Sequence, residues 1–462
     1  MPKIKRRVYT LSGKSEESIA MAMAVTSRSP LPFDEILSGI NEDKSSKFLE
    51  KFYITYGHGS IADSAVAHIA MENISQIAIK ALEDTRLAAY QEKSTRYQIL
   101  DREHAFLPEE IKKSKHRELY NKTLDKIFDL YDEMVGVLLK DARKNDPIKK
   151  EEKKGAYENR IRIPVIDRCR LLLPAATMGN VAMTMSGRSI EYTIAKMLSS
   201  DIKEVKDLAL DIKKQAQKEL PILVKYSDPI EYLVDQKKRI AKLAEKLDKE
   251  KITKNETGAY LAKYDKDALE RVLVGALYRF SGQSYNFIRK QVGKMSQRRK
   301  EKLFDEIIGN RLKRHDKPIR ELELTDYTFE ITCDYGAFRD LQRHRMTMQT
   351  IPPLTTSLGY IKPDGIEKTG LEKKYEEVME EADRAYKKIA KDLPEIAQYV
   401  VPMAYKRRFI FHMNLREAFY LIELRSRPAG HISYRRISWQ MWDEINKIHP
   451  YFAKHIKVDK TK

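Results

Sequence analysis

The chain has 462 residues, of which 42% are hydrophobic, and it carries a formal net charge of +19 at pH 7. This length exceeds what one hydrophobic core usually serves, so we expect two domains. No apolar run reaches the roughly 20 residues that span a bilayer. Cys169 and Cys333 alone provide neither a disulfide framework nor a thiolate zinc site, and no metal ligand set is predicted. We therefore expect a cytoplasmic protein with no membrane segment, whose charge favours phosphate-bearing ligands, either nucleotides or nucleic acids.

The first half of the chain predicts a short strand followed mainly by helices. The strand is expected from the N-terminal residues, and the helices are expected from runs of apolar residues at helical spacing. In chain order, these elements are a strand at Lys3–Thr10 and helices at 16–28, Val66–Leu87, 113–144, Val165–Leu173 and Val181–Leu198.

The second half of the chain repeats this order. Residues 226–265 are rich in Lys and Glu and are predicted to be a partly helical connector. After them, Ala268–Phe280 resembles the helix of 16–28. The run Tyr327–Leu341 then takes the place of Val66–Leu87, and its first part, Tyr327–Cys333, is a strand candidate.

Matching residues of the two halves lie at similar offsets. His315 follows His58 by 257 residues, and Arg345 follows Arg86 by 259. Fourteen residues separate Pro174 from Arg188, and the same number separates Pro402 from Arg416. The sequence therefore predicts a tandem duplication, with a first copy at 1–225, a connector at 226–265 and a second copy at 266–462.

Two segments present candidate ligand-binding groups. In Gly57-His58-Gly59-Ser60, the glycines permit close approach of a ligand, so the turn could present His58 and Ser60 to a bound group. In Arg343-His344-Arg345, two guanidinium forks and an imidazole suit a planar, anionic ligand. A solvated basic helix face is the alternative for the second segment.

With the copies aligned, the residues resemble the flavin-dependent thymidylate synthases of the ThyX type, whose signature reads RHRxxSxNxxSxRY. The first copy matches the latter half, from Ala89 through Glu92, Ser94 and Arg96 to Tyr97, but has Asp84-Thr85-Arg86 at the Arg-His-Arg position. The second copy has Arg343-His344-Arg345 but loses the rest of the signature. The family's downstream block is similar to Val401-Pro402, Arg408, Asn414-Leu-Arg416, Leu424-Arg425 and His431.

The resemblance implies an α+β fold of two ThyX-like copies, with long helices around a small antiparallel sheet in each. Because the losses are complementary, it also implies a composite site. Two chains would form a homodimer that is a pseudo-tetramer, as closed symmetry permits. The expected site joins Glu92, Ser94 and Arg96 of the first copy with Arg343, Arg408 and Arg416 of the second.

The implied reaction is reductive methylation of dUMP to dTMP, with methylene-tetrahydrofolate as carbon donor and NADPH reducing a bound FAD. Ser94 and Arg96 would hold the dUMP phosphate, and Glu92 would lie beside them. Arg416 would be the catalytic group that polarises a uracil carbonyl.

The remaining candidates would contact the nucleotide or the flavin. Arg343 and Arg408 would contact either ligand. The expected flavin contacts are Arg343, His344, Arg345, His58 and Ser60, with Asp63 as a weaker candidate.

Alternatives remain open from the residues alone. A non-catalytic descendant could bind nucleotide, flavin or RNA, because Tyr405–Phe409 and Tyr434–Arg436 interleave aromatic and basic residues. A related pyrimidine methyl- or hydroxymethyltransferase would share the same site.

Several candidate residues also have plainer interpretations. Arg416 and Arg425 could pair with Glu417 or Glu423, and Arg408 could be surface charge. Cys169, which lies between two arginines, could be a thiolate. His431 is expected to be a turn residue.

Overall fold

The structure is a computed structural model that describes residues 6–248 and 256–461. Its α-helices are α1 (Glu16–Val25), α2 (Phe33–Ser38), α3 (Glu42–Leu49), α4 (Gln76–Glu83), α5 (Glu109–Lys112), α6 (Arg117–Asn145), α7 (Lys154–Cys169), α8 (Gly187–Leu198), α9 (Lys203–Glu219), α10 (Glu231–Ala244), α11 (Ala268–Ser281), α12 (Tyr285–Gly293), α13 (Gln297–Ile308), α14 (Tyr335–Gln342), α15 (Glu372–Ala390), α16 (Leu415–Arg425), α17 (Ile432–Ile448) and α18 (Pro450–Ala453). The strands are β1 (Val66–Ser75), β2 (Ala89–Glu92), β3 (Met178–Ser186), β4 (Gly258–Tyr264), β5 (Asp326–Asp334), β6 (Met348–Thr350) and β7 (Lys406–Asn414). The α+β fold class is confirmed.

The chain forms two compact units that do not coincide with the two sequence copies. Unit 1 contains the described residues of Met1–Thr95, Leu100–Glu118 and Ala176–Glu250. Unit 2 contains those of Arg96–Ile99, Leu119–Ala175 and Lys251–Lys462. Most of α6, all of α7 and the residue Arg96 therefore belong to unit 2, although they lie in the first half of the sequence.

Unit 1 is built on an antiparallel sheet of order β1-β3-β2. Strand β1 pairs with β3 from Val66 opposite Ser186 to Ser75 opposite Met178. Alternate residues of both strands are buried, which is the period of two that a half-covered sheet requires. Helices α8 and α9 cover the sheet through buried residues such as Ile194 and Ile212.

Unit 2 is built on an antiparallel sheet of order β4-β5-β7-β6. The central pair, β5 and β7, is in register from Asp326 opposite Asn414 to Asp334 opposite Lys406. Aromatic residues fill the core beside it, and the rings of Phe338 and Phe409 lie 5.0 Å apart. Edge-to-face packing of this kind stabilises a core beyond the area it buries.

The same strand-to-helix junction occurs twice in each unit. The last residue of a strand caps the helix that follows, because its side-chain oxygen accepts a backbone N–H of the first turn. Ser75 and Ser186 do this at the starts of α4 and α8, and Asp334 and Asn414 do it at α14 and α16. The two copies therefore keep one architecture despite their different sequences.

Within unit 2, matching residues of the two copies contact each other reciprocally. Lys126 of α6 lies 2.6 Å from Glu381 of α15, and Lys374 of α15 pairs with Glu133 of α6. Lys374 follows Lys126 by 248 residues, and Glu381 follows Glu133 by the same number. Such an exchange is what an isologous contact about a local two-fold axis produces.

The Pro174 and Pro402 segments are reciprocal in the same way. The N–H of Ala175 donates to the carbonyl of Val401 at 2.9 Å, and the N–H of Met403 donates to the carbonyl of Leu173 at 2.9 Å. The two segments that align in sequence therefore bridge each other directly. This exchange supports the alignment that the residue spacings suggested.

Two predicted helices are partly wrong. Val66–Leu87 begins as strand β1 and becomes helical at Gln76, and Val181–Leu198 begins within strand β3 and becomes helical at Gly187. Both strands contain a buried apolar residue at every second position, which favours a sheet over a helix. The bulge between Met71 and Ile74, with Asn73 at φ 57°, further obscures the alternation.

Other predicted elements have mixed outcomes. The strand Tyr327–Cys333 is confirmed within β5, but Arg6–Thr10 is not a strand, and residues 3–5 lie outside the described part of the chain. The helical part expected within residues 226–265 is α10, and the same range also includes β4 and the undescribed residues 249–255. Over the two described ranges, no helix combines the length and apolar character needed to cross a membrane.

Two helical glycines provide a matched test of this packing. A Cβ at Gly187 would lie 3.0 Å from Leu223 Cδ1 and 3.2 Å from the backbone oxygen of Ala62, whereas a Cβ at Gly136 would meet nothing within 4 Å. We expect Gly187→Ala to lower the free energy of unfolding by about 1 to 2 kcal/mol through overpacking. Gly136→Ala should raise it by about 0.5 to 1 kcal/mol. Urea denaturation of both variants measures this, and equal effects would contradict the packing described.

Candidate functional site

The carboxylate of Asp167, in the last turn of α7, binds three groups in unit 2. Its Oδ1 lies 2.8 Å from Arg96 Nε and 3.1 Å from Arg170 Nε. Its Oδ2 lies 2.7 Å from His431 Nδ1. Arg170 follows Asp167 by three residues, which places both on one helix face. Arg96 and His431 come from distant segments, so this carboxylate ties three parts of the chain together.

Burial and charge pairing shift the pKa of Asp167 in opposite directions. Burial alone would raise the pKa of this carboxyl, but the hydrogen bond from His431 and the charges of Arg170 and Arg96 lower its pKa to about 2. Asp167 is therefore ionised throughout the neutral range. Burial opposes the charge of Arg96 too, yet the neighbouring Asp167 raises the pKa of its guanidinium.

His431 directly precedes α17 and is 4% exposed. Because ionised Asp167 only accepts hydrogen bonds, we assign a proton of the imidazole to Nδ1 at this contact. Nε2 is buried and has no hydrogen-bond partner among the residues that the structure describes. A buried polar atom without a partner is costly, so this atom is a candidate ligand contact.

The charged network continues from Arg170 into the second copy's signature. Arg170 Nη2 lies 3.6 Å from Asp340 Oδ2, and Arg425 Nη1 lies 3.4 Å from Asp340 Oδ1. The guanidinium of Arg425 also lies over the ring of Tyr434, 5.4 Å from its centroid. The carboxylate of Asp340 thus joins Arg170, which directly follows α7, to Arg425 of α16.

His344 forms the next step of the network. Its Nε2 accepts a hydrogen bond from Arg425 Nε at 2.9 Å, and its Nδ1 lies 2.8 Å from Glu417 Oε1. Burial lowers the pKa of His344, although the bond to Glu417 opposes that shift. The geometry therefore fixes a neutral imidazole that donates through Nδ1 and accepts through Nε2.

Glu417 also lines a cavity of about 570 Å³ in unit 2. Its wall combines cationic groups (Arg311, Arg314, Lys317 and Arg416), carboxylates (Glu323, Glu417 and Glu423), apolar or aromatic groups (Pro318, Met346, Tyr420 and Leu424), His315 and Asn414. The volume lies within the range of small-molecule sites. A basic wall with apolar patches suits a ligand that carries both phosphate and a ring system.

Arg416 projects from the first turn of α16 into this cavity. Its Nη1 lies 2.7 Å from Glu323 Oε1, and its Nε donates to the carbonyl of Pro318 at 3.3 Å. Arg311 is held more deeply, because both of its terminal nitrogens pair with the buried Glu423 at 2.5 and 2.6 Å. Bidentate pairing of this kind fixes the guanidinium in one orientation.

Unit 1 contains a smaller counterpart of this cavity. Arg188, at the position of α8 that matches Arg416 of α16, lines a pocket of about 340 Å³ together with Gly57 and Gly59. Arg188 Nη1 lies 3.1 Å from Asp63, as Arg416 lies near Glu323. The arginine-carboxylate pair is therefore kept in both copies, whereas the basic wall belongs to the second.

His58 and Ser60 line a separate recess of about 340 Å³ in unit 1. The ring of His58 lies 6.1 Å from the ring of Phe52 and 6.1 Å from that of Tyr56. Phe52 sits on the π-helical segment Glu50–Thr55, a distortion that is frequent at functional sites. The predicted turn is therefore at a recess with an aromatic wall.

The structure separates the members of the Arg-His-Arg segment. His344 is buried, whereas Arg343 and Arg345 are exposed at the end of α14. Arg408 lies on β7, 3.7 Å from Glu330. Glu92 ends β2 in unit 1, and Ser94 lies two residues beyond it. Among the first-copy residues predicted for the site, Arg96 lies in unit 2, whereas the others lie in unit 1.

Several expectations from the sequence are corrected. Arg416 pairs with Glu323, and Arg425 pairs with Asp340, so each arginine forms an ion pair, but with a partner other than the Glu417 or Glu423 of the plainer interpretation. His431 is a buried partner of Asp167 as well as the residue before a helix.

Two further candidates are removed by burial. Burial raises the pKa of the Cys169 thiol to about 12, so a thiolate there is excluded at neutral pH. The interleaved segments Tyr405–Phe409 and Tyr434–Arg436 are mostly buried, which removes them as an RNA surface.

Asp167 and Arg170 were missed as site residues in the sequence. The three-residue spacing of Asp167 and Arg170 could have predicted their ion pair. Nothing in the neighbouring sequence indicates that Arg96 and His431 are further partners of Asp167.

The fold and the site together define a tandem-repeat α+β protein with an arginine-rich, carboxylate-balanced site. The chain belongs to the family described as thymidylate synthase complementing protein (Thy1), whose model matches residues 7–222 and again residues 261–451. The double match confirms the duplication.

Curated relatives fall into two groups. A UPF0159 protein of Chlamydia muridarum is 32% identical over 428 residues, covering 90% of this chain and 81% of its own. A flavin-dependent thymidylate synthase of Clostridium tetani is 26% identical over 229 residues, covering 49% of this chain and 87% of its own.

A solved structure also aligns with the chain. It is flavin-dependent thymidylate synthase ThyX from Helicobacter pylori, complexed with FAD and dUMP. The match covers 44% of this chain and 100% of that chain, at 16% identity and a TM-score of 0.33. At that score, the likeness supports no conclusion about the site.

Replacing Asp167 tests the network. Because its folded pKa is about 2 against an ordinary 3.8, its stabilising contribution is present above about pH 4 and is lost as the pH falls towards 2. We expect Asp167→Asn to lower the free energy of unfolding at pH 7 by about 2 kcal/mol. The difference in free energy of unfolding between Asp167→Asn and the wild type should become smaller at acid pH. Urea denaturation of both proteins from neutral to acid pH measures this difference.

Asp364 provides the matched control for this substitution. It forms an exposed ion pair with Arg436 at 3.1 Å, so Asp364→Asn should change stability by less than about 1 kcal/mol. An Asp167→Asn effect no larger than that of the control would contradict the proposed importance of the buried carboxylate.

Proposed function

We propose that this protein is a flavin-dependent thymidylate synthase that converts dUMP to dTMP by reductive methylation. The proposed carbon donor is methylene-tetrahydrofolate, and the proposed reductant is NADPH acting through FAD. The observation that carries the proposal is the placement of Arg96. This arginine of the first copy's Ser-x-Arg segment is in one network with Arg425 and His344 of the second copy, through Asp167, Arg170 and Asp340.

The network supports a binding role for its arginines. Asp167 and Asp340 form ion pairs with Arg96, Arg170 and Arg425, which keeps these guanidinium groups close together before a ligand binds and lowers the entropy lost on binding. A nucleotide phosphate is a fitting partner, because guanidinium forks match its oxygen geometry. Ser94 and Glu92, which lie two and four residues before Arg96, stay predicted contributors to nucleotide binding.

His431 supplies a group that accepts a proton or a hydrogen bond at this site. Its Nδ1 is held by Asp167, so the unpartnered Nε2 is the atom that a bound pyrimidine would meet. Asp167 would also stabilise the imidazolium that forms if Nε2 takes a proton. We therefore assign His431 the role of proton acceptor and Asp167 that of positioning it.

The cavity beside Arg416 fits a flavin nucleotide. When bound, FAD supplies the hydride chemistry of the reaction. Arg314, Lys317 and Arg416 offer cationic groups for its phosphates, and Met346 and Tyr420 offer surface for a ring. Arg416 would polarise a carbonyl of whichever ring lies against it.

The remaining predicted residues keep their proposed contacts. Neutral His344 contacts both Arg425 and Glu417, so it would hold the arginine network in place relative to the cavity wall. Arg343, Arg345 and Arg408 stay predicted nucleotide or flavin contacts. His58 and Ser60 stay predicted flavin contacts at their own recess.

The first test joins spectroscopy with ligand binding. The purified protein, supplied with FAD, should show flavin absorption that NADPH bleaches, and it should form dTMP from dUMP and methylene-tetrahydrofolate. A protein that takes up no FAD and forms no dTMP would contradict the enzyme proposal.

Arg96→Gln tests the composite site directly. We expect it to weaken dUMP binding by at least about tenfold while FAD uptake persists, because a charge-assisted phosphate contact is lost. His431→Asn should instead lower kcat more than it weakens dUMP binding. Isothermal titration and steady-state kinetics measure both effects.

The control for these variants is Arg143→Gln, which removes an exposed arginine of α6 that pairs with Glu158 at 3.0 Å. It should bind dUMP like the wild type. Equal dUMP affinity in Arg96→Gln and the control would contradict the composite site.

We also propose that two chains assemble as a homodimer, equivalent to a tetramer of single copies. The reciprocal pairs of α6 and α15 support this, because one chain already contains an isologous contact. Light scattering should give about twice the chain mass of 53.9 kDa. A mass of one chain at micromolar concentration would contradict this assembly.

A further inference from the structure

The segment 278–302 of unit 2 is an exposed surface of unusual composition, called here the α11–α13 surface. It contains eight cationic residues and one acidic residue, Glu301. Every residue from Tyr278 to Phe287 is exposed, although this stretch ends α11 and begins α12. Much of the chain's positive charge is therefore concentrated here, outside the site already described.

Aromatic side chains are interleaved with these cations. Phe280 is 84% exposed, and Tyr278, Tyr285 and Phe287 are each about half exposed. The exposure of four large rings within ten residues costs the protein favourable burial, since each ring could stabilise a core. Arg279 already lies over Phe280, 5.5 Å from its centroid, which shows that the ring face is accessible to planar groups.

Several cations of this surface are not neutralised by the protein. Among the residues that the structure describes, no carboxylate forms an ion pair with Arg289, Lys290, Lys294 or Arg298. Lys300 is different, because it pairs with Glu270 and is buried. The uncompensated charges lie along α12, directly after it and at the start of α13.

The first copy shows that the fold does not require such a surface. In the first copy, the helix that matches α11 is α1, and the helix that follows it is α2. Helix α2 contains Asp34 and Glu35 in its first turn. The second copy has neither acid in α12 and has Arg289 and Lys290 there instead. The basic, aromatic character is therefore particular to the second copy.

An apolar recess borders the surface. Its volume is about 530 Å³, and its walls include Ala276, Leu277, Phe280, Ile307 and Ile319. Arg279 and Glu321 also line this recess and form an ion pair at 3.6 Å. A single nucleobase is small enough to enter such a space. Stacking on exposed rings and entry into an apolar recess are both open to unpaired bases.

We propose that the α11–α13 surface binds single-stranded nucleic acid, with bases on the exposed rings and phosphates on the cations. Self-association through this surface is disfavoured, because a symmetric contact would bring two strongly positive patches together. Duplex nucleic acid is disfavoured as well, since paired bases present no ring face to Phe280 or Tyr285. This binding is independent of the reaction proposed above.

Fluorescence anisotropy with labelled 20-nucleotide oligouridine and oligodeoxyuridine, which differ only in the 2′-hydroxyl, tests the proposal on the whole protein. If about four phosphates are neutralised, the slope of log affinity against log salt should be near −3, which corresponds to roughly 50-fold weaker binding at 200 mM than at 50 mM salt. Equal affinity for the two strands identifies stacking and phosphate contacts as the common basis. Tighter binding of oligouridine identifies a 2′-hydroxyl contact in addition.

Two variants separate stacking from charge. Phe280→Ala should weaken binding about tenfold with little change in the salt slope, because one stacked base is lost. The double reversal Arg289→Glu with Lys290→Glu should reduce the steepness of that slope by at least about 1.4. The control, Lys238→Glu with Arg239→Glu on exposed α10, makes the same charge change elsewhere and should have a much smaller effect.

Four results would overturn the proposal. These are no binding at 50 mM salt, equal losses in the α12 and α10 double variants, equal binding of a duplex of the same length, and a change of oligomeric mass in Phe280→Ala. The last would identify the surface as a contact between chains. FAD uptake and dTMP formation should persist in all these variants, so failure here is distinguishable from failure of the proposed reaction.

Discussion

Burying the carboxylate of Asp167 among two guanidinium groups and an imidazole couples three distant segments of the chain. An ionised carboxylate in such a place is costly unless its charge is compensated, and here the charges of Arg96 and Arg170 and the hydrogen bond with His431 compensate it. The loss of any one partner leaves buried charge uncompensated. This constraint fixes where the first copy's Arg96 must lie, and the rest of the site is arranged from that point.

Charge balance extends the same constraint to the second copy. Arg170 and Arg425 share Asp340, and His344 stays neutral between Arg425 and Glu417. Because Glu417 also lines the cavity beside Arg416, the network connects the Arg96 cluster with the wall of that cavity. A change of charge or position in the Arg96 cluster can therefore affect the cavity wall through the residues of this network. The duplication makes this possible, since neither copy contains all the members.

The sequence predicted the duplication, the fold class and strand β5, because these depend on local patterns and on spacings that recur. It failed at β1 and β3, where an apolar run concealed a strand that passes directly into a helix. Ser75 and Ser186, which cap the helices, were the missed signals. The partners of Arg96, Arg425 and Asp167 could not be predicted, because pairs such as Asp167 and His431 are 264 residues apart and leave no local trace.

The number of dUMP molecules bound by each chain tests the composite site most directly. In titrations of the protein with FAD present, the account predicts one dUMP for each chain, because only one set of residues combines Arg96 with Arg425 and His431. Two dUMP molecules for each chain would show that each copy holds a complete site of its own, and this would contradict the central claim.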